Sequence, residues 1–196
     1  MDEGYIKFQV NWTPGPALPP AALHDLQLWR SVLYQRKLIG VYDNGVGYGN
    51  ISRRYDAAGQ FIISGSATGH LPMLSEAHFT CVTQVDIAHN TVWCEGPIVA
   101  SSETMSHAVI YQTCPEINGV MHVHHAELWK TLLHQVPTTP AAAAYGTPEM
   151  AHSVANLLKK SNLRDIRILV MEGHPEGVFT FGESLAKAGE VLFRFL

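Results

Sequence analysis

The sequence has little charge. Asp, Glu, Lys and Arg together make up 15% of the 196 residues, 46% are apolar, and the formal net charge is −4 at pH 7. This composition excludes a disordered acidic or basic tail and is typical of one globular domain. The Lys and Arg residues are scattered and form no basic stripe, so we expect no nucleic-acid partner.

Cysteine is too scarce for a disulfide framework. The three cysteines, Cys81, Cys94 and Cys114, are far apart, and none belongs to a Cys-x-x-Cys motif. This usage favours a reducing compartment, so we expect a cytoplasmic protein. Residues 1–5 lack the basic and apolar regions of a signal peptide. No apolar run approaches the length of a membrane span, so we expect no membrane partner.

Proline is concentrated near the N terminus. Residues 11–20 contain four prolines. Because proline lacks a backbone donor and fixes φ, we expect neither a helix nor a central strand there. We predict an N-terminal arm over residues 1–21, which lies on the body of the protein or on a neighbouring subunit. One domain follows over residues 22–196.

Helical and strand patterns alternate through this domain. Apolar periodicity and capping signals predict helices at about 20–37, after Ser102 to about Thr113, at 125–134, at 147–160, and from about 183. Strands are predicted at about 51–55, 60–64, 79–87, 91–95, 166–171 and 177–181, and one more strand carries His122 and His124, with a turn at 56–59. Such alternation favours a layered α/β or α+β domain.

The most informative motif is His122-Val123-His124. Side chains two residues apart leave the same face of a β-strand, roughly 6–7 Å apart, so the two imidazoles can converge on one metal ion. The alternative is a polar patch on an exposed strand. Farther along, Glu172-Gly173-His174 offers a third nitrogen. Three nitrogens and an open position describe a catalytic metal centre.

Three other segments suit an anion. Ser101 and Ser102 stand at a predicted helix start, where serines cap backbone amides and the same amides can hold a phosphate. Gly49-Asn50 ends a glycine-rich loop over residues 43–50, and Thr68-Gly69 ends a second turn of small residues. These loops either cradle a phosphate with backbone amides or are only tight turns.

Glu103 follows the two serines, and one predicted helix connects it to the strand that carries His122. A carboxylate near a metal can serve as a ligand or as a base. The alternative is that Glu103 only complements the positive end of the helix dipole.

In this order, the segments resemble the class II aldolase/adducin family over about residues 22–196. Gly49-Asn50-Ile51-Ser52 resembles its phosphate loop, Ser101-Ser102-Glu103 its Ser-Ser-Glu segment, and His122-Val123-His124 its metal-binding strand. Thr68-Gly69, or alternatively Ser64-Gly65, resembles the second phosphate turn. His174 falls where the family has its third histidine ligand.

The resemblance implies an α/β fold, a three-layer α/β/α sandwich around a largely antiparallel sheet. It also implies a homotetramer with active sites between subunits, and zinc or another divalent transition metal as cofactor. Glu103 would be the catalytic acid/base. The implied metal ligands are His122, His124, His174 and Glu103, and the implied phosphate-binding residues are Gly49, Asn50, Thr68, Gly69, Ser101 and Ser102.

The implied reaction is retro-aldol cleavage of a small phosphorylated ketose through a metal-stabilised enediolate. A sugar-phosphate 4-epimerase or dehydratase of the same family, or a non-catalytic adducin-like module, remains an alternative. Glu103 favours the aldolase and the epimerase, and the three histidines argue against the module. The tyrosine or glutamate that the family uses as an acid has no obvious counterpart in residues 133–145, where Tyr145 is a conceivable substitute, as is Glu176 farther on.

Overall fold

The computed structural model describes residues 5–56 and 58–196. Its strands are β1 (Gln9–Pro14), β2 (Gly40–Val41), β3 (Gly47–Tyr48), β4 (Asn50–Arg54), β5 (Phe61–Ser64), β6 (Phe79–Asp86), β7 (Thr91–Gly96), β8 (Gly119–His124), β9 (Thr138–Thr139), β10 (Ile168–Met171) and β11 (Gly177–Gly182). Its helices are α1 (His24–Gln35), α2 (Thr104–Thr113), α3 (Ala126–Leu132), α4 (Pro148–Lys160), α5 (Leu163–Ile166) and α6 (Leu185–Phe193). Residues 1–4 of the predicted arm and residue 57 of the predicted turn lie outside the described residues.

Nine strands form one sheet in the order β1-β7-β6-β5-β4-β8-β11-β10-β9. The outermost pairs, β1 with β7 and β10 with β9, are parallel. The six inner pairs are antiparallel. β8 therefore lies in the middle of the sheet, with β4 on one side and β11 on the other.

Helices cover both faces of the sheet. Met105 of α2 and Met150 of α4 belong to one buried cluster, and Leu33 of α1 and Leu185 of α6 belong to a second. The strands between supply alternate residues to each cluster, because successive side chains leave opposite faces. In β10, for example, Ile168 and Val170 join the second cluster, whereas Leu169 and Met171 join the first. The fold is the predicted three-layer α/β/α arrangement.

Several elements differ from the sequence-based expectations. β1 forms in the proline-rich segment, at the edge of the sheet, where the missing donor of Pro14 is tolerated. α1 begins at His24, because a 3-10 turn over Pro20–Ala22 precedes it. The short elements β2, β3, β9 and α5 were not expected. Within the described residues, no helix combines the length and the apolarity that crossing a membrane requires.

Candidate functional site

His122 and His124 point from the centre of the sheet toward the face that α2 and α4 cover. Strand alternation puts them on the side of Val120, which belongs to the α2/α4 cluster, while Met121 and Val123 face the other cluster. Both imidazoles are buried, so they do not form an exposed polar patch. The His122 ring stacks on Phe179 of β11 with a centroid distance of 4.5 Å.

His174 comes from the turn that joins β10 and β11. Its Nε2 lies 3.2 Å from Nε2 of His124, which in turn lies 3.1 Å from Nε2 of His122. A Cβ on Gly177 would lie 2.8 Å from Cδ2 of His174 and 3.2 Å from Cε1 of His122, so only glycine leaves room for both rings. The three histidines each offer one nitrogen within 4.8 Å of the others.

His122 and His124 each form a hydrogen bond through Nδ1, and these bonds leave the Nε2 atom of each ring without a proton. Nδ1 of His122 lies 3.3 Å from the carbonyl oxygen of Val178, to which it must donate. Nδ1 of His124 lies 2.8 Å from Oη of Tyr42, and Tyr42 donates its own proton to Oε2 of Glu176 at 2.9 Å. His124 therefore donates from Nδ1 as well.

The three imidazole rings are neutral, so the space between their Nε2 atoms favours a cation. Burial lowers the pKa of His122 and of His124 well below the ordinary value, and burial with the nearby Lys7 charge lowers that of His174 to about 4. Two neutral Nε2 lone pairs 3.1 Å apart repel each other unless a cation lies between them. In tetrahedral zinc sites with Zn–N bonds of ~2.0–2.1 Å, ligand nitrogens are about 3.3–3.4 Å apart. The donor set therefore fits a divalent transition metal.

Glu103 brings a carboxylate to this cluster. It directly precedes α2 and is only 3% exposed. Its Oε1 lies 3.6 Å from Nε2 of His174, and its Oε2 accepts a hydrogen bond from Ser106 Oγ at 3.3 Å. A carboxylate at this distance is within reach of a metal held by the histidines and of a substrate bound beside it.

A cavity of about 220 Å³ joins the histidine cluster to the predicted anion-binding segments. All ten residues predicted for the site line it, and they are Gly49, Asn50, Thr68, Gly69, Ser101, Ser102, Glu103, His122, His124 and His174. Residues of both candidate second turns, Gly65 as well as Thr68 and Gly69, are among the lining residues. A Cβ on Gly69 would lie 2.1 Å from the carbonyl oxygen of Gly40, so this turn packs too tightly against its neighbour for any other residue.

Arg30 of α1, which was not expected at the site, binds the Thr68-Gly69 turn and does not itself line the cavity. The side chain is 1% exposed, and its Nη2 donates to the carbonyl oxygens of Thr68, Gly69 and Leu71 at 3.1, 3.2 and 2.9 Å. Burial lowers the Arg30 pKa to about 10, which leaves the guanidinium charged at neutral pH. Because the three carbonyl oxygens accept from Arg30, they point toward α1 and not into the cavity.

Tyrosines form much of the remaining wall. Tyr5, Tyr48 and Tyr145 line the cavity, and the ring of Tyr145 lies 4.7 Å from that of His174. Oη of Tyr145 accepts a hydrogen bond from the backbone N–H of Tyr5 at 3.3 Å, and Nζ of Lys7 lies 3.7 Å from the centre of its ring. Glu176 is instead bonded to Tyr42.

Comparisons with known proteins agree with this arrangement. The family model described as the class II aldolase and adducin N-terminal domain matches residues 42–194. An L-fuculose 1-phosphate aldolase structure superposes with a TM-score of 0.67 at 20% identity, covering 91% of this chain and 85% of that one. A sugar-phosphate aldolase from Thermotoga maritima gives 0.66 at 15% identity, with 89% and 90% covered. A putative aldolase/epimerase/decarboxylase from Klebsiella pneumoniae gives 0.64 at 13% identity, with 89% and 84% covered.

The fold is that of the class II aldolases, as these superpositions show. The chain belongs to the class II aldolase and adducin N-terminal domain family, because the family model spans most of its length. The resemblance inferred from the sequence motifs is thereby confirmed.

Proposed function

We propose that this protein is a divalent-metal-dependent aldolase that cleaves a small phosphorylated ketose between C3 and C4. The observation that carries the proposal is the convergence of His122, His124 and His174 beside Glu103, in one cavity with the serine and glycine segments. Membership of the aldolase family supports it. A zinc ion, or another divalent transition metal, held by these residues would act as a Lewis acid on the substrate carbonyl.

The residues of the cavity suggest which groups act as base and as proton donor. In the condensation direction, a carboxylate oxygen of Glu103 removes a proton from C3 of the ketone substrate. The C3 electron pair then forms the bond to the aldehyde carbon, and the aldehyde oxygen takes up a proton. Tyr145, whose ring packs against His174, is our candidate for this proton donor. Cleavage runs through the same steps in reverse.

The anion-binding segments would position the substrate. Ser101 and Ser102 lie just ahead of α2, where the helix dipole favours a negative charge. The Gly49-Asn50 and Thr68-Gly69 segments line the same cavity. A phosphate fixed there would determine which carbon faces the histidine cluster. Family resemblance further suggests a homotetramer whose active sites lie between subunits.

The test is the release of dihydroxyacetone phosphate from a panel of ketose 1-phosphates, measured with the zinc-loaded protein. We expect turnover that falls at least a hundredfold in Glu103→Gln, as is typical when a general base is removed. His122→Ala should lose both bound metal and activity. His89→Ala is the matched control, because the His89 side chain is 80% exposed and pairs with Asp86.

Other outcomes would identify other functions. Inversion of C4 in a ketopentose phosphate without release of dihydroxyacetone phosphate would identify an epimerase, an activity that the description of the Klebsiella pneumoniae protein includes. A protein with neither bound metal nor turnover would be a non-catalytic module, and the proposal would then be wrong.

A further inference from the structure

Asn50 connects the cavity to a buried set of polar side chains. It lies at the start of β4, directly opposite His122 of β8, and it is 6% exposed. Its Oδ1 lies 2.6 Å from Nε2 of His107, a residue of α2 that is completely buried and does not line the cavity. His107 is therefore a buried titratable group to which the proposed reaction assigns no role.

The other side of the His107 ring continues the set. Nδ1 lies 2.6 Å from Oγ of Ser52, and Oγ of Ser52 lies 2.8 Å from Oη of Tyr111. Ser52 is completely buried and Tyr111 is 3% exposed. Burial raises the pKa of Tyr111 far above its ordinary value and lowers that of His107 to about 3. Tyr111 therefore keeps its hydroxyl proton, and the ring stays neutral with a single N–H.

A count of hydrogens determines the direction of these bonds. When Tyr111 donates to Ser52, Ser52 donates to Nδ1 and Nε2–H donates to Asn50, every O–H and N–H in the set has an acceptor. In the opposite direction, His107 donates to Ser52 from Nδ1. The hydroxyl hydrogen of either Ser52 or Tyr111 is then left without an acceptor among their contacts in the described residues. A buried donor without an acceptor is costly, so the first direction is favoured.

We propose that Tyr111, Ser52 and His107 form a buried relay that fixes Asn50 with its oxygen toward His107 and its amide NH2 toward the cavity. His107 is then a positioning residue, because it acts through Asn50. The inference rests on the proposed function, in which Asn50 contacts a phosphate. The direction of the hydrogen bonds in the relay determines whether the cavity favours a negatively charged ligand. An amide NH2 of Asn50 facing the cavity attracts an anion, whereas an amide oxygen facing the cavity would repel it.

The first test is nitrogen-15 NMR of the His107 ring in the purified protein, which distinguishes a protonated ring nitrogen from an unprotonated one. We expect the proton on Nε2. A proton on Nδ1 would overturn the proposal, since Asn50 would then have to donate to the ring.

The second test measures inorganic phosphate binding to the zinc-loaded protein by calorimetry. His107→Phe removes the donor to Asn50, and we expect the phosphate Kd to rise at least tenfold, as for the loss of one hydrogen bond to a charged group. His107→Gln supplies an N–H in place of Nε2–H and should restore most of the affinity. Val154→Ala, which opens a cavity in the core under α4, is the control for general destabilisation and should leave the Kd unchanged.

The outcomes separate this inference from the proposed function. If the unmodified protein binds phosphate and His107→Phe binds it equally well, the relay proposal is wrong while the phosphate site stands. If the unmodified protein binds no phosphate, the phosphate-binding part of the proposed function and the relay proposal both fail. If His107→Phe does not fold, the position of the ring proton decides.

Discussion

Replacing Tyr42 with phenylalanine should weaken metal binding without disturbing the fold. The hydroxyl of Tyr42 accepts from Nδ1 of His124 at 2.8 Å and donates to Glu176 at 2.9 Å, so it holds the His124 ring with its Nε2 lone pair toward the cluster. Partners of metal-ligating histidines typically contribute about 10–100-fold to metal affinity. We expect a decrease of about tenfold, which equals roughly 1.4 kcal/mol, about the worth of one hydrogen bond.

Competition with a chromogenic chelator measures the zinc Kd of the two proteins. Tyr48→Phe is the matched control, because the ring of Tyr48 lies 5.4 Å from that of His124 while its hydroxyl lies 3.4 Å from the carbonyl oxygen of Lys37. The control should bind zinc as tightly as the unmodified protein. An unchanged Kd in Tyr42→Phe, or an equal loss in both variants, would refute the assignment of the His124 tautomer.

Three further predictions concern stability and assembly. Arg30→Met should lower the free energy of unfolding by about 2–4 kcal/mol in urea melts, because the variant loses a buried guanidinium that donates to three carbonyl oxygens, and an unchanged stability would contradict that role. The His107 pKa is lowered from 6.5 to about 3 by burial, so the unfolded chain binds the extra proton and stability falls as the pH drops from 7 to 5, by about 2 kcal/mol from this group. His107→Gln should show a correspondingly shallower fall, and identical slopes would exclude a neutral His107. Light scattering should give the mass of four chains, whereas a monomer would contradict the predicted homotetramer.

Local patterns in the sequence were enough to predict the layered fold and to select residues that the structure brings together. His122 and His124 share a face because a strand repeats every two residues, and Ser101 lies near a helix start because serine is typical there. Each of these signals lies within a few residues of the chain. What the local patterns left open was whether the segments meet, and the family resemblance supplied that expectation.

The residues that sequence reasoning missed act over long distances in the chain. Arg30 lies on a helix with an apolar stripe, and nothing in that stripe indicates that its guanidinium reaches the carbonyls of a turn about forty residues later. Tyr42 was not predicted at the site, and Glu176 was considered only as a possible acid. The two residues are 134 positions apart, and they meet because the fold brings the β10–β11 turn to the Tyr42 hydroxyl, which also contacts His124 of β8. The proline-rich segment gave no sign of β1, because its pairing with β7 depends on a free sheet edge.

The central claim is that three histidines distant in the chain bind one divalent ion, and diffraction data collected at the zinc absorption edge test it most directly. For crystals of the zinc-loaded protein, we predict one anomalous peak about 2.1 Å from Nε2 of each of His122, His124 and His174. The absence of a peak between these three atoms, or a peak held by other residues, would contradict the claim.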